Sequence, residues 1–229
     1  MCQLCRHSGY LGDIMKLLRE TVRKIILEEV CAGATAKIQQ GLDKIEELDL
    51  RVIVTPEWAG ADFGYVVLLK DPNDITMGQF EVVTDPEASV FITSWTEVNP
   101  SLKETGVGAV LYDVAVEVAS KQVNYLTCDR STVSKDARKM WAYYNRSDDY
   151  EAYQLDTRDG HFTPDDPDDD IDQRIFYRAA RKTLGKYRVG DPIEYKNDFM
   201  ASPYTKAYRK KRITTIPCLG DRYTVDEGM

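Results

Sequence analysis

The stretch Trp95-Thr96-Glu97-Val98-Asn99-Pro100-Ser101-Leu102-Lys103-Glu104-Thr105-Gly106-Val107-Gly108-Ala109 concentrates the groups from which chemistry can be argued. A strand ends, a turn follows, and a long apolar helix starts at the second glycine. Free backbone N–H groups at a helix N-terminus, with the helix dipole behind them, make an anion site. Gly106 and Gly108 let the main chain approach a phosphate and take backbone angles closed to other residues. Lys103 adds a point charge. The turn reads as a pyrophosphate cradle, with simple close packing of a two-glycine turn as the competing reading.

Other reactive groups are sparser. Glu97 and Glu81 are strand-end carboxylates able to accept a proton, or else solvated surface. Asp129, in Asp129-Arg130-Ser131, follows the next strand, where α/β sites commonly lie. It would bind or deprotonate an amine, or else cap or pair with Arg130. Cys128 is a nucleophile only with a base beside it, and the two histidines, His7 and His161, are far off in sequence. Cys2-x-x-Cys5-x-His7 has the spacing of half a zinc site, but no second pair follows, so no metal is expected and free thiols on a frayed terminus are the alternative. A calcium loop starting at Asp166 fails, because Ile171 stands where glycine is needed and Tyr177 where glutamate is.

These groups need elements to hold them. Leu11, Ile14, Met15, Leu18, Val22, Ile25, Ile26 and Val30 recur at helical spacing, and Ile38, Leu42, Ile45 and Leu48 make a second, shorter stripe. Arg51–Thr55, Phe63–Lys70, Met77–Thr84 and Ser89–Trp95 are short runs rich in Val, Ile, Phe and Tyr, separated by turn formers, and they predict a strand meander. Val107, Val110, Leu111, Val114, Ala115, Val118 and Ala119 form the cleanest helical stripe. Val123–Cys128 predicts a strand, Lys135–Tyr144 a helix and Glu151–Leu155 a short strand. The order implies an α/β (α+β) domain over 1–156, one mixed sheet flanked by helices. Residues 157–229 read as a C-terminal extension: an acidic loop over Asp165–Asp170, then a basic amphipathic helix (Ile171, Ile175, Phe176, Ala179, Leu184) and a tail.

The chain of 229 residues has a net charge of -8, unevenly spread. Ser147–Asp172 holds eleven acids and one base; Arg174–Arg212 holds twelve Lys/Arg and three acids. Both are solvated surface on the plain reading. The functional reading makes Arg174–Arg212 a docking arm for an anionic partner, with Arg209-Lys210-Lys211-Arg212 beside Phe176, Tyr177, Tyr187, Tyr204 and Tyr208 suited to phosphates and stacking. Five scattered cysteines argue against a disulfide framework. No apolar run long enough to span a membrane and no signal-peptide pattern occur, so the expectation is a cytoplasmic protein without a membrane partner.

Val98-x-Pro100-x-x-Lys103-x-x-Gly106-x-Gly108 resembles the acyl-CoA signature of the GNAT superfamily of N-acyltransferases, usually Val-x-Pro-x-x-Arg/Gln-x-x-Gly-x-Gly/Ala. The resemblance covers about Phe63 to Asp156, and the layout is also similar to acetyltransferase-like proteins encoded by phages. It implies a GNAT-like fold whose sheet splays after the strand ending near Val98, with the pantetheine arm of acetyl-CoA in the gap. It implies cofactor contacts from Val98, Lys103, Glu104, Thr105, Gly106, Val107, Gly108 and Ala109. Ser134-x-x-Ala137-x-x-x-Trp141 sits where the family has Asn-x-x-Ala-x-x-x-Tyr, which adds Ser134 to that set. Lys103 keeps the charge of the usual Arg but not its planar fork. Trp141 removes the hydroxyl that protonates the leaving thiolate. The final hairpin strand of the family is not obvious; Ile213–Leu219 is the candidate.

The implied reaction moves an acetyl group from acetyl-CoA to an amine acceptor. It needs a neutral amine, a polarised carbonyl and a protonated thiolate. A backbone N–H near Val98 polarises the carbonyl, Glu97 (or Glu81) or Asp129 receives the amine's proton, and Tyr144, or failing it Tyr143, supplies the missing hydroxyl. Two other readings stay open: a GNAT-fold binding module that has lost turnover, and a nucleic-acid-modifying acyltransferase approaching phosphates with its basic arm.

Overall fold

The computed structural model describes residues 18, 21, 31, 34–59, 62–85, 90–128, 133–155 and 203–226. In chain order the described elements are α1 (Ala36–Glu47), β1 (Arg51–Ala59), β2 (Asp62–Lys70), β3 (Thr76–Asp85), β4 (Val90–Val98), α2 (Val107–Lys121), β5 (Leu126–Thr127), α3 (Lys135–Tyr144), β6 (Tyr150–Gln154), β7 (Lys206–Lys210), α4 (Thr215–Leu219) and β8 (Tyr223–Val225). The strands form one mixed sheet ordered β6-β7-β5-β4-β3-β2-β1-β8. β1 to β4 are an antiparallel meander. β5 lies parallel to β4, β7 antiparallel to both β5 and β6, and β8 parallel to β1 at the far edge.

Local signals explain the helices. Thr35 caps α1 by accepting the Ile38 N–H, and Ser134 caps α3 by accepting the Ala137 N–H. α2 is buried on nearly every side, from Val107 to Ala119. Its buried residues include the carboxylates Asp113 and Glu117, which pair with Lys210, and burial of the rest offsets the modest helix propensity of its valines. It lies across the middle of the sheet, where the Tyr65 hydroxyl donates to the Ala115 carbonyl at 2.6 Å. The main core joins α1, α2, α3 and α4 to one sheet face through Val52, Tyr65, Val67, Phe80, Phe91, Leu126 and Tyr208.

Several expectations need correction. The late strand that pairs antiparallel with β6 is Lys206–Lys210, whereas Ile213–Leu219, the candidate strand, contains the short helix α4. Its Ile-Pro-Cys run looks extended, but Pro217 sits early in the helix, where no N–H is needed. β7 is inserted between β5 and β6, so the division expected at residue 156 does not separate two folding units among the described residues. Cys31 and Cys218 form a disulfide across 187 residues, which sequence spacing gave no means of pairing. The 11–30 stripe apart from Leu18, the acidic loop and the basic helix lie outside the described residues. No described helix is long and apolar enough to cross a membrane.

Candidate functional site

The turn between β4 and α2 is held from below. Asn99 accepts the Ser101 N–H and starts a 3-10 turn over Pro100–Leu102. The Thr105 hydroxyl donates to the Leu102 carbonyl at 2.6 Å, and Lys37 Nζ donates to the Glu104 carbonyl at 2.6 Å. Gly106 has φ 90 and presses on the backbone of α1, where a Cβ would come within 2.6 Å of the Gly41 nitrogen. Gly41 is reciprocally constrained, since its Cβ would lie 2.6 Å from the Gly106 carbonyl carbon. Gly108 differs: a Cβ there would meet only Val98 Cγ2, at 3.7 Å. Protein packing therefore demands glycine at 106 and leaves room at 108.

The N–H groups of Glu104, Gly106, Val107 and Gly108 have no acceptor among the described residues. Glu104 and Gly106 both have positive φ, and the Thr105 N–H between them turns back to the Leu102 carbonyl. Lys103 stands close enough to Asp136 at the start of α3 to help hold that carboxyl below its ordinary value, behind the larger effect of a hydrogen bond from Lys139. These features fit a diphosphate. Val107 is wholly buried and Ala109 nearly so, so neither presents a side chain at the turn. The Ser134 oxygen is engaged as the α3 cap.

β4 parts from β5 beside this turn. The two strands pair only at Phe91 with Leu126 and Ile92 with Thr127, and the Thr93 hydroxyl makes a last link to the Thr127 carbonyl at 3.2 Å. Beyond it β4 carries a bulge: Glu81 faces Trp95 and Val82 faces Thr93, leaving Ser94 unpaired on β4. Bulges of this kind re-aim a strand. Thr96 and Val98 then point toward the helices, while Trp95, 56% exposed, and Glu97 point to the opposite face. Glu81 on that face is held by Gln79 and Ser94.

Under the parting strands sits Tyr112 of α2, which sequence reasoning missed. Its ring packs edge-on to Phe80 at 4.6 Å and to Trp141 at 5.9 Å. Thr96 of β4, Cys128 at the end of β5 and Asp136 of α3 surround its hydroxyl electrostatically. Burial pushes the phenol up to about 12, against a downward pull from the Thr96 hydroxyl and with smaller upward pushes from Cys128 and Asp136. Thr96 Oγ1 is itself buried with no hydrogen bond of ordinary geometry. The only available signal was that Tyr112 is the one aromatic residue in an otherwise aliphatic stripe.

The expected catalytic set is not assembled as drawn. Tyr144 is 1% exposed, its hydroxyl unpartnered, in a cluster with Trp141, Tyr150 and Tyr208 on the helix side of the sheet. Burial, then the Asp113 carboxylate, raises its phenol well above the ordinary value. Glu97 is exposed on the other face, so the sheet separates the two. Asp129 lies outside the described residues.

The basic cluster is also largely committed. Arg209 pairs with Glu151 and stacks 4.7 Å over Tyr125. Lys210 is buried between Asp113 and Glu117 at 2.5 and 2.7 Å. Lys211 donates to the Asp148 carbonyl. Tyr204, in a 3-10 turn over Pro203–Thr205, and Tyr208, on β7, are buried and present no stacking face. Of these four cations only Arg212 has no partner among the described residues; the earlier part of the arm, residues 174–202, lies outside them. Glu117 further accepts the N–H groups of Thr214, Thr215 and Ile216, capping α4 from another element. A cavity of about 640 Å³ lies beside this network, between Thr35, Tyr143, Asp149 and Arg212.

No family model, curated protein or solved structure matches the chain. Among the described residues no cluster of His, Cys, Asp or Glu could hold a metal ion.

Proposed function

We propose that the chain is a GNAT-like N-acyltransferase that moves an acetyl group from acetyl-CoA to an amine acceptor. One observation carries the reading. A turn of unpaired N–H groups opens α2 beside the point where two parallel neighbouring strands stop pairing. A diphosphate on the turn lets the arm that follows run into the gap, where unpaired β4 backbone offers hydrogen bonds. Lys103, Glu104, Gly106, Val107 and Gly108 hold the diphosphate, and Val98 lines the entry. Glu97 or Glu81, on the face open to an acceptor, takes the amine's proton directly or through water.

Acetyl-CoA at millimolar concentration is expected to raise the melting temperature, and Gly108→Glu to abolish the shift by filling the phosphate site with a negative side chain. A wild-type protein without a shift sinks the reading. Release of free CoA with a panel of amines then separates an enzyme from a binding module. The module reading is favoured by one observation, the burial of Tyr144 away from Glu97. Acetyl-CoA binding without CoA release under any amine decides for it.

A further inference from the structure

Resting on that reading, we infer that Tyr112 supplies the hydroxyl that meets the departing sulfur. Trp141 holds the α3 position at which the family resemblance places a tyrosine, and its indole packs edge-on against the Tyr112 ring at 5.9 Å. The space a phenol on α3 would use is thus bordered by a phenol from α2. Tyr112 stands between Thr96 on one parting strand and Cys128 at the tip of the other. A group that follows the β4 backbone down the gap from Val98 reaches this pair of strands where Thr93 last bridges to Thr127. Tyr112 keeps 7% of its surface exposed, and its hydroxyl interacts with the Thr96 hydroxyl of β4. Tyr144, the phenol expected from sequence, is instead enclosed by Tyr143, Tyr150 and Tyr208.

The amine, already neutral, uses its lone pair to form the C–N bond to the thioester carbonyl carbon. The C–S bond breaks with its electron pair on sulfur, and the Tyr112 O–H proton moves to that sulfur. The nitrogen sheds its extra proton to the carboxylate or water on the acceptor face, and solvent returns one proton to the phenolate. A phenol whose pKa is raised by burial stays protonated at neutral pH, as a donor must. The same property makes the phenolate short-lived. The Cys128 thiol is occupied as a donor to the Tyr204 carbonyl at 3.4 Å.

Tyr112→Phe keeps the ring and removes only the hydroxyl. It is expected to lower kcat about 100-fold, within the range of general acid catalysis. The dissociation constant for acetyl-CoA should stay within about twofold and the melting temperature within a few degrees, because an interaction made in the transition state leaves ground-state binding alone. A companion Tyr144→Phe variant should keep kcat within about twofold. Unchanged kcat in Tyr112→Phe, with wild-type turnover established, overturns the inference and leaves the acyltransferase reading standing. Equal losses of kcat, acetyl-CoA affinity and melting temperature overturn it too, as the mark of a packing role. A wild-type protein that binds acetyl-CoA but releases no CoA with any amine ends the acyltransferase reading itself, and this role with it.

Discussion

Gly106 and Gly108 look equivalent in the motif and differ in what constrains them. Gly106 combines φ 90 with backbone contact to α1, so an added methyl is both strained and blocked. Gly106→Ala should cost about 2 kcal/mol or more in urea denaturation. Gly108→Ala should change stability by less than about 0.5 kcal/mol, since its Cβ has room and alanine suits a helix. Equal costs at both positions would mean that the turn is held together in some other way. The spacing of the two glycines was legible in the sequence; their division of labour was not, because it depends on Gly41, more than sixty residues earlier. Residues that touch across such distances leave no local mark. Tyr112 was passed over for the same reason: in a stripe of valines it reads as core, and only Thr96 and Cys128 converging on it give it a role.

Among elements, the regular ones were readable and the charged one was not. The Lys135–Tyr144 pattern gave α3 its bounds, and α2 announced itself through its apolar stripe from Val107 to Ala119. Ser94 was invisible, since a bulge extends an ordinary strand pattern. β7 reads as Lys-Ala-Tyr-Arg-Lys and looks like solvated tail. It is a strand because Asp113 and Glu117 wait inside the fold for Lys210. Lys210→Met should therefore cost about 3–5 kcal/mol, as removing the cation leaves two carboxylates buried together. A smaller loss would show the pair protonated or hydrated. The pH dependence has a definite sign. Burial lowers the Lys210 pKa, but Asp113 and Glu117 outweigh it and the net shift is upward. Burial likewise raises the Tyr65, Tyr144 and Tyr150 phenols. Groups whose folded pKa is raised bind more protons in the folded state once the unfolded groups titrate. Their contribution is complete below about pH 10 and falls as pH rises past it. The urea midpoint should accordingly drop steeply above about pH 10, and less steeply in Lys210→Met, which lacks the lysine's share.

For the molecule as a whole, the Cys31–Cys218 bond joins the segment before α1 to α4, near the two ends of the described chain. Reduction by dithiothreitol should lower stability by about 2–4 kcal/mol, chiefly by releasing the unfolded chain. Cys218→Ala should reproduce the loss and abolish the response to reductant; a wild-type melting temperature indifferent to dithiothreitol would show that the bond does not form. The sheet class was readable from the alternation of runs, yet its closure was not, because both late strands arrive from beyond a long charged stretch. β7 enters the interior of the sheet between strands made more than fifty residues earlier, and β8 pairs with the first strand. On a ribosome this order has a consequence. The growing chain can lay down its meander and α2 early, but it carries Asp113 and Glu117 without their lysine, and β5 and β6 without the strand between them, until residue 210 has left the exit tunnel. The nascent protein must therefore keep an open seam in its sheet until β7 has emerged, and only then can the sheet close.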